Sequence, residues 1–278
     1  MALDRDLVER VLERLGFASA PAPDRAGLAA IYAAWCRCVP FDNVRKRLHV
    51  AAKDPGRLPG DDPPAFFAAW LAYGTGGTCW AGNGALCELL RAVGFDAERG
   101  VATMMALPDL PPNHGTVFVT LDGARWMVDA SILFGEPLAL PRADGETTAI
   151  AHPAWGVAAR REGGTTFVRW NALHRPDLDC RIEPIATSAA DYRARHEATR
   201  AWSPFNYSIS ARLNRGDGVV GLGLGNRGEI TPDGVQSVRP LEPGERTKLL
   251  VEILGIAESL AAALPPDEPL PSPPAPPP

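Results

Sequence analysis

The chain has 278 residues, 46% hydrophobic and 22% charged, and its 28 Lys and Arg against 33 Asp and Glu leave a formal net charge of -5. A chain of this length and composition buries a sizeable core, which excludes disorder over most of it, and the acidic balance offers no footprint for nucleic acid or an anionic membrane surface. Five cysteines, none in a Cys-x-x-Cys pair, argue against a disulfide framework and a structural zinc site.

Leu3, Leu7, Val8, Val11, Leu12 and Leu15 recur at helical spacing among Asp, Glu and Arg, and Gly16 supplies a stop, so the first element is an amphipathic helix. Asp24 caps a second, whose Leu28, Ile31, Tyr32 and Trp35 share one face until Pro40 ends it. Helices are also expected over Pro63–Tyr73 and Trp80–Val93, so residues 1–95 read as helical. No apolar run approaches a membrane span and the start carries acids rather than a signal-like pattern, so a cytoplasmic location is the default expectation.

From Ala97 the pattern turns to short β-rich runs split by Gly, Pro and Asp-Gly: Gly100–Met105, Thr116–Leu121, Arg125–Val128 and Thr165–Trp170. They predict an antiparallel sheet or barrel as far as Ile185. Ser188–Ala201 reads as a charged helix, Tyr207–Leu213 and Gly218–Leu224 as strands, and Arg246–Leu264 as a closing amphipathic helix. Nine prolines between Pro265 and Pro278 predict a disordered tail. Gly223-Leu224-Gly225-Asn226-Arg227-Gly228 spells G-x-G-x-x-G, yet Glu229-Ile230-Thr231-Pro232 follows where a dinucleotide site needs a helix, so it reads as a glycine-rich strand and turn.

Cys79, His114 and Asp129 carry the chemistry. Cys79 follows Thr75-Gly76-Gly77-Thr78 and opens a helical stretch, a setting that favours the thiolate. His114 and Asp129 flank a hairpin signal, Thr116–Leu121, the turn Asp122-Gly123, and Arg125–Val128. The hairpin brings its ends together, so the carboxylate can orient the imidazole and stabilise its cation. Each residue alone reads more readily as a packed thiol, a satisfied polar group or a cap; together they favour a nucleophile and its base. Cys87 and Cys180 read as packing residues, and Cys36 and Cys38 point to opposite sides of a helix.

Several segments, spread from Gly16 to Leu260, resemble the arylamine N-acetyltransferase family. Val39-Pro40-Phe41-Asp42-Asn43 is similar to its V-P-F-E-N, Gly76-Gly77-Thr78-Cys79 with Asn83 to its G-G-x-C-x-x-x-N, and Asp122-Gly123-x-x-Trp126-x-Val128-Asp129 to its D-G-x-x-[YW]-x-V-D. Ser203-Pro204-Phe205 and Asn226-Arg227 also fall where the family has similar residues. The resemblance implies an α+β fold of three parts: a helical bundle over 1–95 carrying Cys79, an antiparallel β-barrel over 96–186 carrying His114 and Asp129, and an α/β lid over 187–264, with the tail 265–278 outside it.

It also implies catalytic roles: Cys79 accepts an acetyl group from acetyl-CoA as a thioester, His114 activates it, and Asp129 orients His114. An arylamine or arylhydrazine nitrogen then takes the acyl group in a ping-pong scheme without a metal. Phe41, Trp80, Met104, Met105, Phe134 and Phe205 are candidate pocket walls, although such side chains are commonly core. The chain departs from the family's R-G-G-x-C-x-E at Thr75 and Ala81, and from its Val-Gly after the aspartate at Ala130-Ser131. Either the missing Arg and Glu form a mutually dependent pair in relatives, or the cleft has changed use. The latter favours an amide synthase that takes an acyl chain from a carrier protein. A transglutaminase-like or papain-like thiol hydrolase and a catalytically silent scaffold are the other readings of the triad.

Overall fold

The computed structural model describes residues 3–106 and 111–270. Five helices open the chain: α1 (Arg5–Arg14), α2 (Arg25–Cys38), α3 (Val44–Ala51), α4 (Pro63–Tyr73) and α5 (Cys79–Ala92), with a two-residue strand β1 (Phe41–Asp42) before α3. The carboxylates of Asp4, Asp24 and Asp62 cap α1, α2 and α4 by accepting first-turn N–H groups. The helices pack through Val11, Leu28, Ile31, Trp35, Phe66 and Phe67, all fully buried. Helix α5 is buried on every side from Cys79 to Cys87, so it threads the core rather than lying on it.

Eight antiparallel strands follow: β2 (Asp96–Met104), β3 (His114–Leu121), β4 (Ala124–Val128), β5 (Leu138–Ala139), β6 (Thr147–Ile150), β7 (Val157–Glu162), β8 (Thr165–Ala172) and β9 (Arg175–Glu183). Their order is β5-β4-β3-β2-β9-β8-β7-β6. The two edges meet where Thr148 Oγ1 of β6 donates to the Ala139 carbonyl of β5 over 2.5 Å, so the sheet is a nearly closed barrel.

After α6 (Ala189–Ala198), strands β10 (Ser210–Arg215), β11 (Gly218–Gly223), β12 (Asn226–Ile230) and β13 (Gln236–Pro240) form a second antiparallel sheet, with β1 as its first strand in the order β1-β10-β11-β12-β13. The N-terminal segment is thereby stitched to the C-terminal one. Leu222, Leu249, Leu250 and Ile256 bury the apolar side of this sheet together with Val44 of α3. Among the described residues no helix is long and apolar enough to cross a membrane.

The α+β architecture agrees with the sequence expectation, and several elements differ in detail. Helix α3 was not foreseen, because its buried residues include Lys46 and Arg47, which break the apolar periodicity. The closing helix is not continuous: α7 (Glu245–Lys248), a π-helical turn over 249–253 and α8 (Glu258–Ala263) are separated at Gly255, whose φ is 72°. Leu224 and Gly225, with φ of 53° and 75°, form the two-residue turn between β11 and β12, as the reading of Gly223–Gly228 as strand and turn requires.

The expectation of a free tail from Pro265 onward is corrected for its first residues. Arg47 Nη2 donates to the Pro266 carbonyl over 2.6 Å, Ser208 Oγ to Asp267 Oδ2 over 2.7 Å, and Glu268 N to the Tyr207 carbonyl over 2.8 Å. Residues 271–278 lie outside the described ones.

Candidate active site

Cys79 is the first residue of α5, and Thr78 at the N-cap makes no side-chain capping bond, so the first-turn N–H groups beside the sulfur are not taken by a cap. The strand before it is fixed from two directions. Asp42 Oδ2 accepts the Gly76 N–H over 2.6 Å, and Asp42 N donates to the Gly77 carbonyl over 3.3 Å. Gly76 has no alternative as a residue type, since a Cβ there would stand 1.8 Å from the Pro40 carbonyl oxygen. Asn43 continues the link by donating to the Phe205 and Ser208 carbonyls, each over 2.8 Å, and accepting the Ser210 N–H over 2.7 Å. The segment Val39–Asn43 thus ties the nucleophile loop to Ser203-Pro204-Phe205.

The β3–β4 hairpin forms as its sequence predicts, with Asp122 and Gly123 at φ of 51° and 69° in the turn. His114 opens β3 and Asp129 follows β4, and the His114 Nε2–H donates to Asp129 Oδ2 over 2.7 Å. That bond leaves Nδ1 unengaged by Asp129, and Cys79 is among the groups near enough to act on the imidazole. Both His114 and Asp129 are buried. Burial works against charge on each, but the mutual attraction and hydrogen bond outweigh it, raising His114 to about 10 and lowering Asp129 to about 2. Each partner thus favours the charged form of the other, imidazolium against carboxylate.

Asn83, one turn into α5, joins helix to hairpin. Its Nδ2 donates to the Gly115 carbonyl over 2.6 Å and lies 3.3 Å from Asp129 Oδ1, while its Oδ1 accepts the Ala130 N–H over 2.8 Å. Asp129 Oδ1 also accepts the Ser131 hydroxyl over 2.7 Å, the Ser131 N–H over 2.8 Å and the Ile132 N–H over 2.9 Å. Ser131, read from sequence only as a departure, supplies the carboxylate with a donor. Gly115 lets this assembly close, because a Cβ there would stand 2.3 Å from the Tyr192 hydroxyl.

Cys79 and His114 open onto one cavity of about 370 Å³ between barrel, bundle and C-terminal sheet. Of the predicted walls, Phe41, Trp80, Met104 and Phe205 line it. Phe41 and Phe205 meet edge-on at 5.4 Å, and Trp80 meets Tyr192 edge-on at 4.9 Å. Met105 is not among the lining residues, and Phe134 is corrected as a wall: it is fully buried against the Tyr32 ring at 5.2 Å. Sequence reasoning missed Trp170, His174 and Arg212, which come from β8, the β8–β9 turn and β10. The one signal available was an arginine in a strand-like run whose Ile209, Ala211 and Leu213 alternate with polar residues. A larger groove of about 1080 Å³ between α1 and the end of α5 holds neither cysteine nor histidine.

The two departures lie in the core beside the nucleophile loop. Thr75 is fully buried and its Oγ1 has no hydrogen-bond partner among the described residues. Ala81 fills a space in which added Cβ atoms on Gly60 and Gly77 would come within 2.7 and 2.8 Å of its methyl group. Ala81 is itself buried.

Fold and side-chain arrangement define a class: a cysteine, histidine and aspartate set over a cavity, the cysteine on a core helix and its partners on a barrel hairpin. The sequence profile described as N-acetyltransferase matches residues 24–166. The chain belongs to the arylamine N-acetyltransferase family. It is 34% identical over 125 residues to the arylamine N-acetyltransferase of Mycolicibacterium smegmatis, 42% of this chain and 43% of that protein. It is 27% identical over 177 residues to the proansamycin X synthase of Amycolatopsis mediterranei (strain S699), 60% of this chain and 66% of that protein. The matched stretches thus span under two thirds of either relative. Solved arylamine N-acetyltransferases share the fold: that of M. smegmatis superposes with a TM-score of 0.76 at 21% identity over 95% of this chain and 98% of its own, and that of Salmonella typhimurium with 0.77 at 18% over 94% and 98%.

Proposed function

We propose that the protein is an acyltransferase that moves an acetyl or related acyl group from a CoA thioester, through a thioester on Cys79, to an arylamine or arylhydrazine nitrogen. The observation that carries this reading is the buried His114–Asp129 pair, 2.7 Å apart, whose His114 lines the same cavity as the first residue of α5. The Cys79 thiolate attacks the donor carbonyl carbon, the carbon–sulfur bond to CoA breaks, and the His114 imidazolium gives its proton to the departing thiolate. First-turn N–H groups of α5 stabilise the oxyanion formed on the way. The amine then attacks the Cys79 thioester, its proton passes to neutral His114, and Cys79 leaves as the thiolate. One thioester replaces another at little free-energy cost, so the enzyme can wait in the acylated state for a weakly basic amine.

Incubation with acetyl-CoA followed by intact-mass analysis tests this, with a gain of about 42 daltons on Cys79, the acetyl increment of a covalent intermediate, as the expected result. No adduct from acetyl-CoA or any other acyl thioester would remove the reading. The sequence match to proansamycin X synthase, longer but less identical than the sequence match to the M. smegmatis acetyltransferase, supports a second reading as an amide synthase. In that reading the donor is an acyl chain on a carrier protein, and Cys79 would be acylated by that thioester and not by acetyl-CoA.

A further inference from the structure

Lys46 has no part in the acyl-transfer steps, yet two contacts set it beside the nucleophile. It lies in the first turn of α3, directly after the segment in which Asp42 N donates to the Gly77 carbonyl, two residues ahead of Cys79. Its Nζ donates to Thr199 Oγ1 over 2.8 Å, and Thr199 lines the same cavity as Cys79 and His114. Thr199 Oγ1 in turn donates to the His196 carbonyl over 2.7 Å, so its hydroxyl proton is committed there and a lone pair is left for the ammonium. Lys46 is 4% exposed. The position disfavours a cation twice, through burial and through the positive end of α3, whereas a lysine side chain ordinarily reaches for water.

Burial lowers the Lys46 ammonium to about 8, and among the charged groups acting on it Cys79, which opposes burial, comes ahead of Arg200 and Glu197. Arg200 and Glu197 are hydrogen-bonded to each other over 2.5 Å, so their charges largely offset one another. His196 is lowered to about 4, chiefly by burial, and is neutral near pH 7. Around Cys79 itself stand Tyr192 and Cys180, both raised well above their ordinary values by burial and hence neutral, and His114 with its partner Asp129. Lys46 and His114 are thereby two cationic groups acting on one sulfur.

We propose that Lys46 is a positioning residue of the nucleophile: its ammonium, anchored on Thr199, favours the thiolate of Cys79 alongside His114. An ammonium near a thiol stabilises the thiolate, and by reciprocity the thiolate holds the proton on the ammonium. The inference rests on Cys79 being the nucleophile of the proposed function and adds a second source of its activation.

The chain has three lysines, Lys46, Lys53 and Lys248, so isotope-labelled lysine gives few enough NMR signals to follow the Lys46 titration in the intact protein. Replacing Cys79 by Ala is expected to weaken proton binding at Lys46 about threefold to tenfold, the scale of one charge acting through partly screened protein. Reciprocally, Lys46→Met should slow alkylation of Cys79 by iodoacetamide by a similar factor on the acid side of its pH profile, with the rates converging at alkaline pH. Lys46→Arg, which keeps the charge, should retain most of the wild-type rate. A purely structural role would instead slow alkylation equally at every pH, and that result overturns the inference. So does a Lys46 titration that Cys79→Ala leaves unmoved, a comparison that still decides should Lys46→Met fail to fold. Coupling between Lys46 and Cys79 with no acylation from any thioester keeps the inference and rejects acyl transfer alone, whereas acylation of Cys79 without coupling rejects Lys46 alone.

Discussion

Asp42 Oδ2 accepts the Gly76 N–H over 2.6 Å while its Oδ1 accepts the Val44 N–H over 3.0 Å, so one buried carboxyl holds the loop that presents Cys79 and the start of α3. Asp42→Ala leaves both donors without that acceptor, at about 1–3 kcal/mol for each buried group left unpaired. A lower urea midpoint and slower alkylation of Cys79 are expected together. Asp42→Asn, which keeps an acceptor oxygen, should lose less of both. Unchanged alkylation in a destabilised Asp42→Ala protein would show that this carboxyl supports the fold and not the nucleophile.

The His114–Asp129 pair has a pH signature. Asp129 is lowered from 3.8 to about 2, so the unfolded chain holds the extra proton between those values, and the pair's stabilisation is lost as pH falls through that window. His114 is raised from 6.5 to about 10, so the native state holds the extra proton there, and stabilisation present below 6.5 is lost as pH rises toward 10. Denaturation of wild type and Asp129→Asn across pH should give a difference that is largest between about 4 and 6.5 and shrinks on both sides. A difference independent of pH would contradict the charged pair. The same substitution should cut acyl transfer by about 10³–10⁴-fold, the scale seen when a triad imidazole loses its orienting carboxylate.

Ser131→Ala removes one of the hydrogen bonds on Asp129 Oδ1 and leaves those from the Ser131 and Ile132 N–H groups. A loss of about 1.5–3 kcal/mol is the range for a hydrogen bond to a charged group. Acid unfolding should begin at a higher pH, because Asp129 loses a donor that favours its anion. Titration of stability at low pH in wild type and Ser131→Ala measures this, and superimposable curves would assign the hydroxyl no role.

Thr75 offers a prediction of the opposite sign. Its hydroxyl is buried without a partner, so Thr75→Val removes a desolvated polar atom at nearly constant shape. Stability should stay level or rise by about 1–2 kcal/mol. A drop of that size in the denaturation midpoint would mean that the hydroxyl has a role the structure does not show.

Much of the fold and the core of the candidate site were legible in the sequence because they depend on local signals. The Asp122-Gly123 turn fixes the register that brings His114 and Asp129 together, and the Gly76-Gly77 approach to a helix start marks Cys79. Helix α3 escaped notice because Lys46 and Arg47 are buried where a pattern reading places solvent. Lys46 reaches Thr199 Oγ1 over 2.8 Å, a partner 153 residues away that no local window contains. Arg212, Trp170 and His174 gather at the cavity only when the barrel and the second sheet meet, and Phe134 faces Tyr32 instead for the same reason. Long-range assembly also explains Pro265–Glu268, whose composition signals disorder but whose backbone is held by Arg47, Ser208 and Tyr207.

Every chemical step depends on the sulfur of Cys79, and its rate of alkylation by iodoacetamide at neutral pH, mapped by peptide mass in wild type and His114→Ala, tests that most directly. Mapping is needed because Cys38 is exposed while Cys36, Cys87 and Cys180 are buried. Cys79 is expected to be modified stoichiometrically and ahead of the other four, and to slow markedly in His114→Ala. A Cys79 that stays unmodified in both proteins, or reacts equally in both, contradicts a nucleophile activated by His114.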